Sequence, residues 1–189
     1  ARGRLVIAPQ PDRQLGARWD GSGTHFCVFS SSAAAVDLVL CGDGEAERRE
    51  ALRRIGDHWY GYVGGVGPGT RYGYRTDGLH DPARGLFHDH AKLLLDPYAG
   101  AVDGTLTWSD DLRRVGVDTA GSVPRSVVVS HVFDWAGDRP PRIPWADTVI
   151  YEAHVKAMTA THPRIPPPLR GTYAAMGDPA IVEHLRALG

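Results

Sequence analysis

The chain has 189 residues, of which 21 are basic and 22 acidic, so its formal net charge is −1. A balance so close to zero excludes broad electrostatic attraction as a basis for binding nucleic acid or an anionic membrane. Glycine and proline, at 23 and 14 residues, exceed their average usage and favour short strands and turns over long helices.

The sequence gives little indication of a membrane span, a secretory signal, a disulfide or a metal site. We expect no membrane span, because no apolar stretch approaches the roughly 20 residues that a spanning helix needs. We also expect no secretory signal, because residues 1–12 lack an apolar core. Cys27 and Cys41 lie in segments with the pattern of strands, and no metal-ligand spacing surrounds them. The sequence therefore predicts reduced thiols rather than a disulfide, and neither a metal nor another cofactor.

Short strands separated by turns are predicted through the first part of the chain. In the segment 24–30, Phe26 and Val28 fall on one side of the strand, and Cys27 and Phe29 fall on the other. Further strands are predicted at 36–41, 50–55, 59–63 and 70–75. Several short strands at this spacing indicate an antiparallel β-sandwich.

The next segment, 76–93, is predicted to be a loop rich in histidine, aspartate and glycine. Its polar residues suggest a metal site, but their loose spacing favours a solvated loop; they are His80, His88, His90, Asp81 and Asp89. The carboxylates of this part of the chain define no common face for a catalytic pair; they are Asp81, Asp89 and Asp96. Two of them precede proline, which indicates turns, so we predict no catalytic role.

An irregular connector is predicted at 116–147. Prolines interrupt it repeatedly, and the pattern allows a short strand at 126–129; the prolines are Pro124, Pro140, Pro141 and Pro144. The sequence shows no internal repeat and no low-complexity tract.

A strand and a helix are predicted near the end of the chain. The apolar run at 148–155 has the length and β-branched content of a strand buried on both faces of a parallel sheet. At 178–188 apolar residues recur at helical spacing. Asp178 is placed to cap this helix, Pro179 takes its first position, and Gly189 is placed to end it. A parallel strand needs further crossover units, so we expect this part to belong to a larger α/β domain. Without that domain it should aggregate or stay disordered.

Five sequence blocks occur in order and at compatible spacing. They are WDGSGTHFCVFS at 19–30, GYVGGVGPGTRYGYR at 61–75, DPARGLFHDHAKLLLDPYA at 81–99, FDWAGDRPPRIPWADTVIYEAHVK at 133–156 and HPRIPPPLRGTYAAMGDPAIVEHLRALG at 162–189. Together they resemble the bacterial glycogen debranching enzymes of the isoamylase type, in the α-amylase superfamily. The resemblance covers nearly the whole chain after about residue 12.

The resemblance implies a mainly β fold with a defined domain plan. Residues 10–115 would form an immunoglobulin-like β-sandwich of the carbohydrate-binding module 48 type, and 116–147 would be a connector. Residues 148–189 would form the first βα unit of a TIM-type (β/α)8 catalytic barrel.

The resemblance also implies a reaction and a partner. Enzymes of this family hydrolyse α-1,6-glucosidic branch linkages in glycogen, limit dextrin or amylopectin, and they are expected in the cytoplasm. Their retaining mechanism uses a nucleophile and a general acid/base, two carboxylates about 5 Å apart. All the catalytic carboxylates of the family would lie beyond residue 189, so we expect this chain to be inactive alone.

Candidate glycan contacts follow from the barrel that the resemblance implies. His154 would lie near the C-terminal end of the barrel strand, where TIM barrels place their active sites. The loop 156–177 leaves the same end and offers groups suited to sugar hydroxyls or to ring stacking, namely His162, Arg170 and Tyr173. Packing by His154, and a proline-stiffened loop in which Arg170 bridges carboxylates, are the alternatives. Trp59 is a candidate sugar platform on the sandwich, although it could also be a core residue.

The sequence departs from the family pattern at two places, and alternative functions remain to be weighed. Lys156-Ala157-Met158 stands where many relatives have Arg-Gly followed by an apolar residue, and HDHAK at 88–92 replaces the usual Asn-Pro-Asn-Lys. The alternative functions are a non-catalytic glycan-binding or scaffold protein, and a related enzyme that releases trehalose or forms branches.

Overall fold

A computed structural model describes residues 14–42 and 47–188, and also the backbone of 5–6. The chain divides into two compact units, Ala1–Asp134 and Trp135–Gly189, and each is considered by itself. No helix in the described part of the chain is long and apolar enough to cross a membrane.

The first unit is built from short strands that pair antiparallel. They are β1 Leu5–Val6, β2 Gly16–Trp19, β3 Gly23–Phe29, β4 Ala33–Cys41, β5 Arg48–Ala51, β6 Arg53–Ile55, β7 His58–Gly64, β8 Arg71–Gly78, β9 His80–Asp81, β10 Leu86–Phe87, β11 Ala101–Asp103 and β12 Arg125–Val127. Single 3-10 turns lie at Pro82–Arg84 and Asp110–Leu112. Strands predicted from the alternation of apolar and polar residues are present at each predicted position.

Two sheets face each other in this unit. One has the order β1-β7-β3-β2, with β6 also paired to β7, and the other has the order β11-β12-β8-β4-β5. β9 and β10 form a separate hairpin. Side chains from both sheets meet in one apolar core that includes Phe26, Leu38, Val63 and Tyr72. The predicted antiparallel sandwich is therefore confirmed.

A buried carboxylate ties the segment after β10 to this core. Asp96 accepts a hydrogen bond from the Tyr72 hydroxyl at 2.7 Å and another from the Tyr98 backbone N–H at 2.8 Å. The Asp96 backbone N–H donates to Ser126 Oγ at 2.9 Å. Burial, followed by the nearby Asp96 carboxylate, raises the pKa of Tyr72 above its ordinary value. This network holds Asp96 as a structural residue.

A buried arginine anchors the loop that follows the hairpin. Arg75 on β8 donates to Glu47 Oε1 at 2.7 Å, to Asp118 Oδ1 at 2.9 Å and to the Ala91 carbonyl at 2.7 Å. It also donates to the His90 carbonyl at 3.1 Å. Since its donors are matched to two carboxylates and two carbonyls, the burial of this charge is compensated.

The second unit contains two helices, α1 Val155–Thr159 and α2 Pro179–Leu188. Single 3-10 turns occur at Trp145–Asp147, Pro167–Leu169 and Tyr173–Gly177. The predicted helix at 178–188 is confirmed, and Asp178 caps it by accepting a hydrogen bond from the Ala180 N–H at 2.9 Å. Gly189, predicted to end the helix, lies outside the described residues.

The strand predicted at 148–155 is not formed in the described residues. Residues 148–154 pair with no strand among those described, and Val155 begins α1. The exposed fractions of Val149 and Ile150 are 90% and 80%. A strand of this kind is held by hydrogen bonds to its neighbours, and the described residues supply no neighbour. The first βα unit of a barrel is therefore not formed here.

The last part of the second unit has a small apolar cluster of its own. Ile165, Ala175 and Ile181 form a small buried cluster, against which Met158, Met176 and Leu185 pack. α2 thus buries its apolar face on its own preceding loop, while the segment 148–150 stays exposed.

Candidate functional site

The loop between α1 and α2, which carries most of the predicted glycan contacts, is held by short-range hydrogen bonds. Thr159 Oγ1 donates to the Val155 carbonyl at 3.0 Å and accepts from the Gly171 N–H at 2.9 Å. Gly171 has a positive φ of 77°, and a Cβ there would lie 3.2 Å from Lys156 Cγ. The loop therefore closes onto α1 at a position that favours glycine.

Arg170 is a structural residue of this loop. Its Nε donates to the Ile165 carbonyl at 2.8 Å, and Nη2 donates to the Pro163 carbonyl at 3.4 Å. The sequence offered a bridge between carboxylates as an alternative role, and that alternative is wrong, because the acceptors are main-chain carbonyls. The guanidinium, with five N–H donors, retains donors that these two bonds do not use.

His154 caps α1. Its Nδ1 accepts a hydrogen bond from the Ala157 N–H at 3.1 Å, so the ring proton belongs on Nε2. The residue is exposed. The position predicted for it, at the end of a barrel strand, is not formed in this chain because that strand is unpaired.

His162 and Tyr173 differ in exposure. His162 is partly buried, and its Nδ1 atom is buried without a hydrogen-bond partner among the described residues. Tyr173 projects into solvent at the start of the 3-10 turn Tyr173–Gly177. Within the described part of the chain no hydrogen bond joins His154, His162, Arg170 and Tyr173 to one another. The structure therefore places them on one unit without assembling them into one site.

Trp59 is a core residue and not a sugar platform. Its exposed fraction is 5%, and it belongs to the apolar core between the sheets. Nε1 donates to the Ser30 carbonyl at 3.0 Å, and the Arg54 guanidinium carbon lies 5.4 Å from the ring centroid. With both faces occupied, the ring cannot stack on a pyranose, which corrects the prediction.

The segment 76–93, predicted to be a loop, contains the end of β8 and the hairpin of β9 and β10, and its polar groups make structural contacts. Asp89 accepts hydrogen bonds from the Ala91 N–H at 3.0 Å and the Gly116 N–H at 2.8 Å. Burial raises the pKa of Asp89, but these bonds outweigh it and hold the value below normal. His90 Nδ1 lies 3.0 Å from Asp77 Oδ2. In the described parts of the chain no group of three or more His, Cys, Asp or Glu could hold a metal ion. Both cysteines are free.

Trp108 is an exposed aromatic residue that the sequence interpretation did not single out. Its exposed fraction is 83%, and it borders a cavity of about 410 Å3 together with Ser109, Asp110, Leu112 and Arg113. The available signal was a tryptophan followed directly by Ser-Asp-Asp, turn residues that cannot continue a buried strand.

Comparison with known families identifies the sandwich. Residues 14–99 match the model of carbohydrate-binding module 48, the isoamylase N-terminal domain. The chain is 47% identical over 182 residues to the glycogen debranching enzyme of Yersinia pseudotuberculosis serotype IB (strain PB1/+), covering 92% of this chain and 27% of that enzyme. It is 45% identical over 185 residues to the glycogen debranching enzyme of Klebsiella pneumoniae (strain 342), covering 93% of this chain and 28% of that enzyme.

Solved structures show the same fold at lower identity. Pullulanase from Klebsiella pneumoniae, solved in complex with maltotriose, matches 93% of this chain and 16% of its own, with a TM-score of 0.66 and 23% identity. Pullulanase from Paenibacillus barengoltzii, in complex with maltohexaose and α-cyclodextrin, matches 94% of this chain and 26% of its own, with a TM-score of 0.64 and 20% identity.

These matches show which proteins the chain is related to and how much of them it covers. It spans only about a quarter of the length of the curated relatives, at 27% and 28%. An alignment of 182 residues is longer than either compact unit, so the similarity includes parts of both. The chain is therefore a homologue of bacterial glycogen debranching enzymes and carries a carbohydrate-binding module 48 over residues 14–99.

Proposed function

We propose that this chain is part of a debranching glycoside hydrolase that cleaves α-1,6-glucosidic branch linkages in glycogen or limit dextrin. The observation that carries the proposal is the 47% identity to a glycogen debranching enzyme, which extends past the sandwich into the second unit. A relative by its glycan-binding module alone would have matched only residues within 14–99.

The proposed chemistry lies beyond residue 189. A retaining glycosidase needs two carboxyl groups about 5 Å apart on opposite sides of the scissile bond. The aspartates weighed from the sequence serve other purposes here, since Asp89 closes a loop and Asp96 binds the Tyr72 hydroxyl. This chain would accordingly contribute orientation and glycan contacts, and would be inactive alone.

The domain plan belongs to the same proposal. Residues 10–115 would be the sandwich, with its first residues, 10–13, outside the described part. Residues 116–147 would be the connector. Residues 148–155 would become a barrel strand once neighbouring strands of the longer protein pair with it. His154, His162, Arg170 and Tyr173 would then lie around the active-site face of the barrel.

The partner proposed is an α-glucan. Two pullulanases of the same fold were solved with maltotriose, or with maltohexaose and α-cyclodextrin, which supports this class of ligand. A cytoplasmic location is proposed with it, supported by the two free cysteines, since disulfides are rare in that compartment.

The product formed by the longer protein tests the proposal against its alternatives. The protein encoded by the complete coding sequence is incubated with β-limit dextrin, and the products are resolved by chromatography and proton NMR. Loss of α-1,6 anomeric signals with release of short linear maltooligosaccharides supports debranching. Release of trehalose, or a gain of α-1,6 signals, would replace it with the related enzymes. Glycan binding without turnover would leave the non-catalytic binding protein.

A further inference from the structure

One polar side chain of the second unit is fully buried on a short helix. Thr159, the last residue of α1, has an exposed fraction of 0%. Its hydroxyl donates to the Val155 carbonyl at 3.0 Å, so its proton is used within α1. The same oxygen has lone pairs, and the Gly171 N–H donates to it at 2.9 Å. The burial of this hydroxyl is therefore compensated partly by a residue outside the helix.

Both ends of the segment 160–171 are bonded to Thr159. Near its beginning, the His162 N–H donates to the Thr159 carbonyl at 3.2 Å. At its end, the Gly171 N–H donates to the Thr159 hydroxyl. The first bond involves only main-chain atoms and would survive a change of side chain, whereas the second requires the hydroxyl. The position of the end of the segment relative to α1 therefore depends on this one side-chain group.

The interior of the segment is braced, so that its end and Arg170 move together. Arg170 directly precedes Gly171, and its Nε donates to the Ile165 carbonyl at 2.8 Å. The Ile165 side chain is 1% exposed and belongs to the small buried cluster of this unit. Three consecutive prolines at 166–168 restrict the backbone between these two residues. A displacement of Gly171 would therefore displace Arg170.

We propose that Thr159 is a positioning residue: its buried hydroxyl holds Gly171, and through Gly171 it holds the Arg170 guanidinium where an α-glucan substrate contacts it. The role of Arg170 in glycan binding rests on the proposed function, whereas the hydrogen bonds of Thr159 do not. Thr159 is buried and touches no substrate itself. Its loss should therefore weaken substrate binding and leave the chemical step, which is proposed to use carboxylates beyond residue 189, nearly unchanged.

The test measures kcat and KM for β-limit dextrin with the protein encoded by the complete coding sequence. Thr159→Val keeps the branched shape but has no hydroxyl. Its KM is expected to rise about three- to tenfold, with kcat within about twofold of the parent, because a long side chain that is no longer held must be ordered when substrate binds. Thr159→Ser keeps the hydroxyl and should have the KM of the parent.

A matched control and the split between kcat and KM separate positioning from simple destabilisation. Thr161→Val makes the same change at an exposed position of the same segment, and it should leave both constants unchanged. Partial unfolding of Thr159→Val would reduce the amount of active enzyme, which lowers the apparent kcat and leaves KM at the parent value. That result, or one KM shared by the parent and both Thr159 variants, would overturn the proposal.

Hydrogen exchange followed by mass spectrometry examines the segment without substrate. In the same longer protein, peptides covering 160–171 should exchange several-fold faster in Thr159→Val than in the parent, because the Gly171 N–H loses its acceptor. Thr159→Ser and Thr161→Val should exchange at the parent rate. Unchanged exchange in Thr159→Val would overturn the proposal. If the parent does not hydrolyse β-limit dextrin, the debranching proposal fails, and the exchange rates still decide whether Thr159 holds the segment.

Discussion

At the scale of single residues, burial divides the polar groups of the sandwich into structural and available ones. Asp96 and Arg75 are buried and fully engaged, whereas Asp110 and Arg113 are exposed beside Trp108. Residue type alone could not have distinguished the buried pair from the exposed pair, since each consists of an aspartate and an arginine.

Trp59 and Trp108 show why the sequence could not distinguish a buried tryptophan from an exposed one. Trp59 is buried because it pairs with Val28 across β3 and β7, which aims the ring between the sheets. Trp108 lies in the connection between β11 and β12 and is 83% exposed. Alternation predicts which residues share a face of a strand, but the face that is buried depends on contacts distant in the sequence.

Removal of the Tyr72 hydroxyl should destabilise the first unit. Tyr72→Phe leaves the buried Asp96 carboxylate without its 2.7 Å donor, which should cost about 1–3 kcal/mol of unfolding free energy. Tyr98→Phe, at an exposed ring, is the control and should change stability by less than about 0.5 kcal/mol. Urea unfolding followed by tryptophan fluorescence measures both. Equal stabilities of the two variants would contradict the structural role of Asp96.

Acidification should weaken the anchor around Arg75. Burial raises the pKa of Glu47, but hydrogen bonds from Arg75 and Arg49 outweigh it and hold the value below its ordinary 4.5. For Asp118 burial also acts upward, and the Ala120 N–H and Arg75 hold its pKa below 3.8. The unfolded chain therefore binds more protons at low pH than the folded chain, so stability is present above pH 4.5 and falls as the pH drops through these values.

The measurement is the unfolding free energy between pH 7 and pH 3 for the parent chain and for Glu47→Gln. The variant, which has no carboxylate to protonate at this position, should lose less stability over that interval. A steeper loss in Glu47→Gln than in the parent would show that the sign of this contribution is wrong.

At the scale of elements, the sequence correctly predicted those strands and helices whose formation depends on their own residues. The strands of the sandwich alternate visibly, and α2 carries its own cap in Asp178, so both are found. The strand at 148–155 has an equally clear apolar pattern but depends on neighbours elsewhere in the fold. Its absence here shows that a buried parallel strand is specified by its sheet as much as by its own residues.

The close contact between β8 and the segment after β10 leaves no room for a side chain at Gly73. Tyr74 and Leu94 exchange backbone hydrogen bonds at 2.9 and 2.8 Å, and a Cβ on Gly73 would lie 2.8 Å from the Leu94 carbonyl oxygen. Gly73→Ala should therefore cost about 1–3 kcal/mol, as overpacking does. Gly64→Ala on β7, where a Cβ meets nothing within 4 Å, is the matched control. If both variants melt at the same temperature, this packing is not as described.

At the scale of the whole chain, two units are joined by a fully exposed segment. Each residue from 131 to 150 is exposed, and Arg139 and Arg142 lie within this stretch. Brief trypsin treatment should cut after Arg142, because backbone in an exposed segment reaches the protease without unfolding of a core, and should release the sandwich as a resistant fragment. Trypsin does not cleave the Arg139–Pro140 bond. Mass spectrometry identifies the sites. Earlier cleavage within residues 14–42 would contradict the division.

The proposed hydrolysis would depend on residues outside these 189. The similarity covers 27% of a glycogen debranching enzyme, and residues 14–99 match carbohydrate-binding module 48. The sequence sufficed to propose the family, because the family blocks are local. It could not predict the exposure of Trp108, because that depends on how the folded loop is placed.

The most direct test compares the 189-residue chain with the protein encoded by the complete coding sequence, each at the same molar concentration, for release of reducing ends from β-limit dextrin. The account predicts hydrolysis by the longer protein and none by the 189-residue chain. Hydrolysis by the 189-residue chain would place the catalytic carboxylates within it, and inactivity of both would contradict the debranching function.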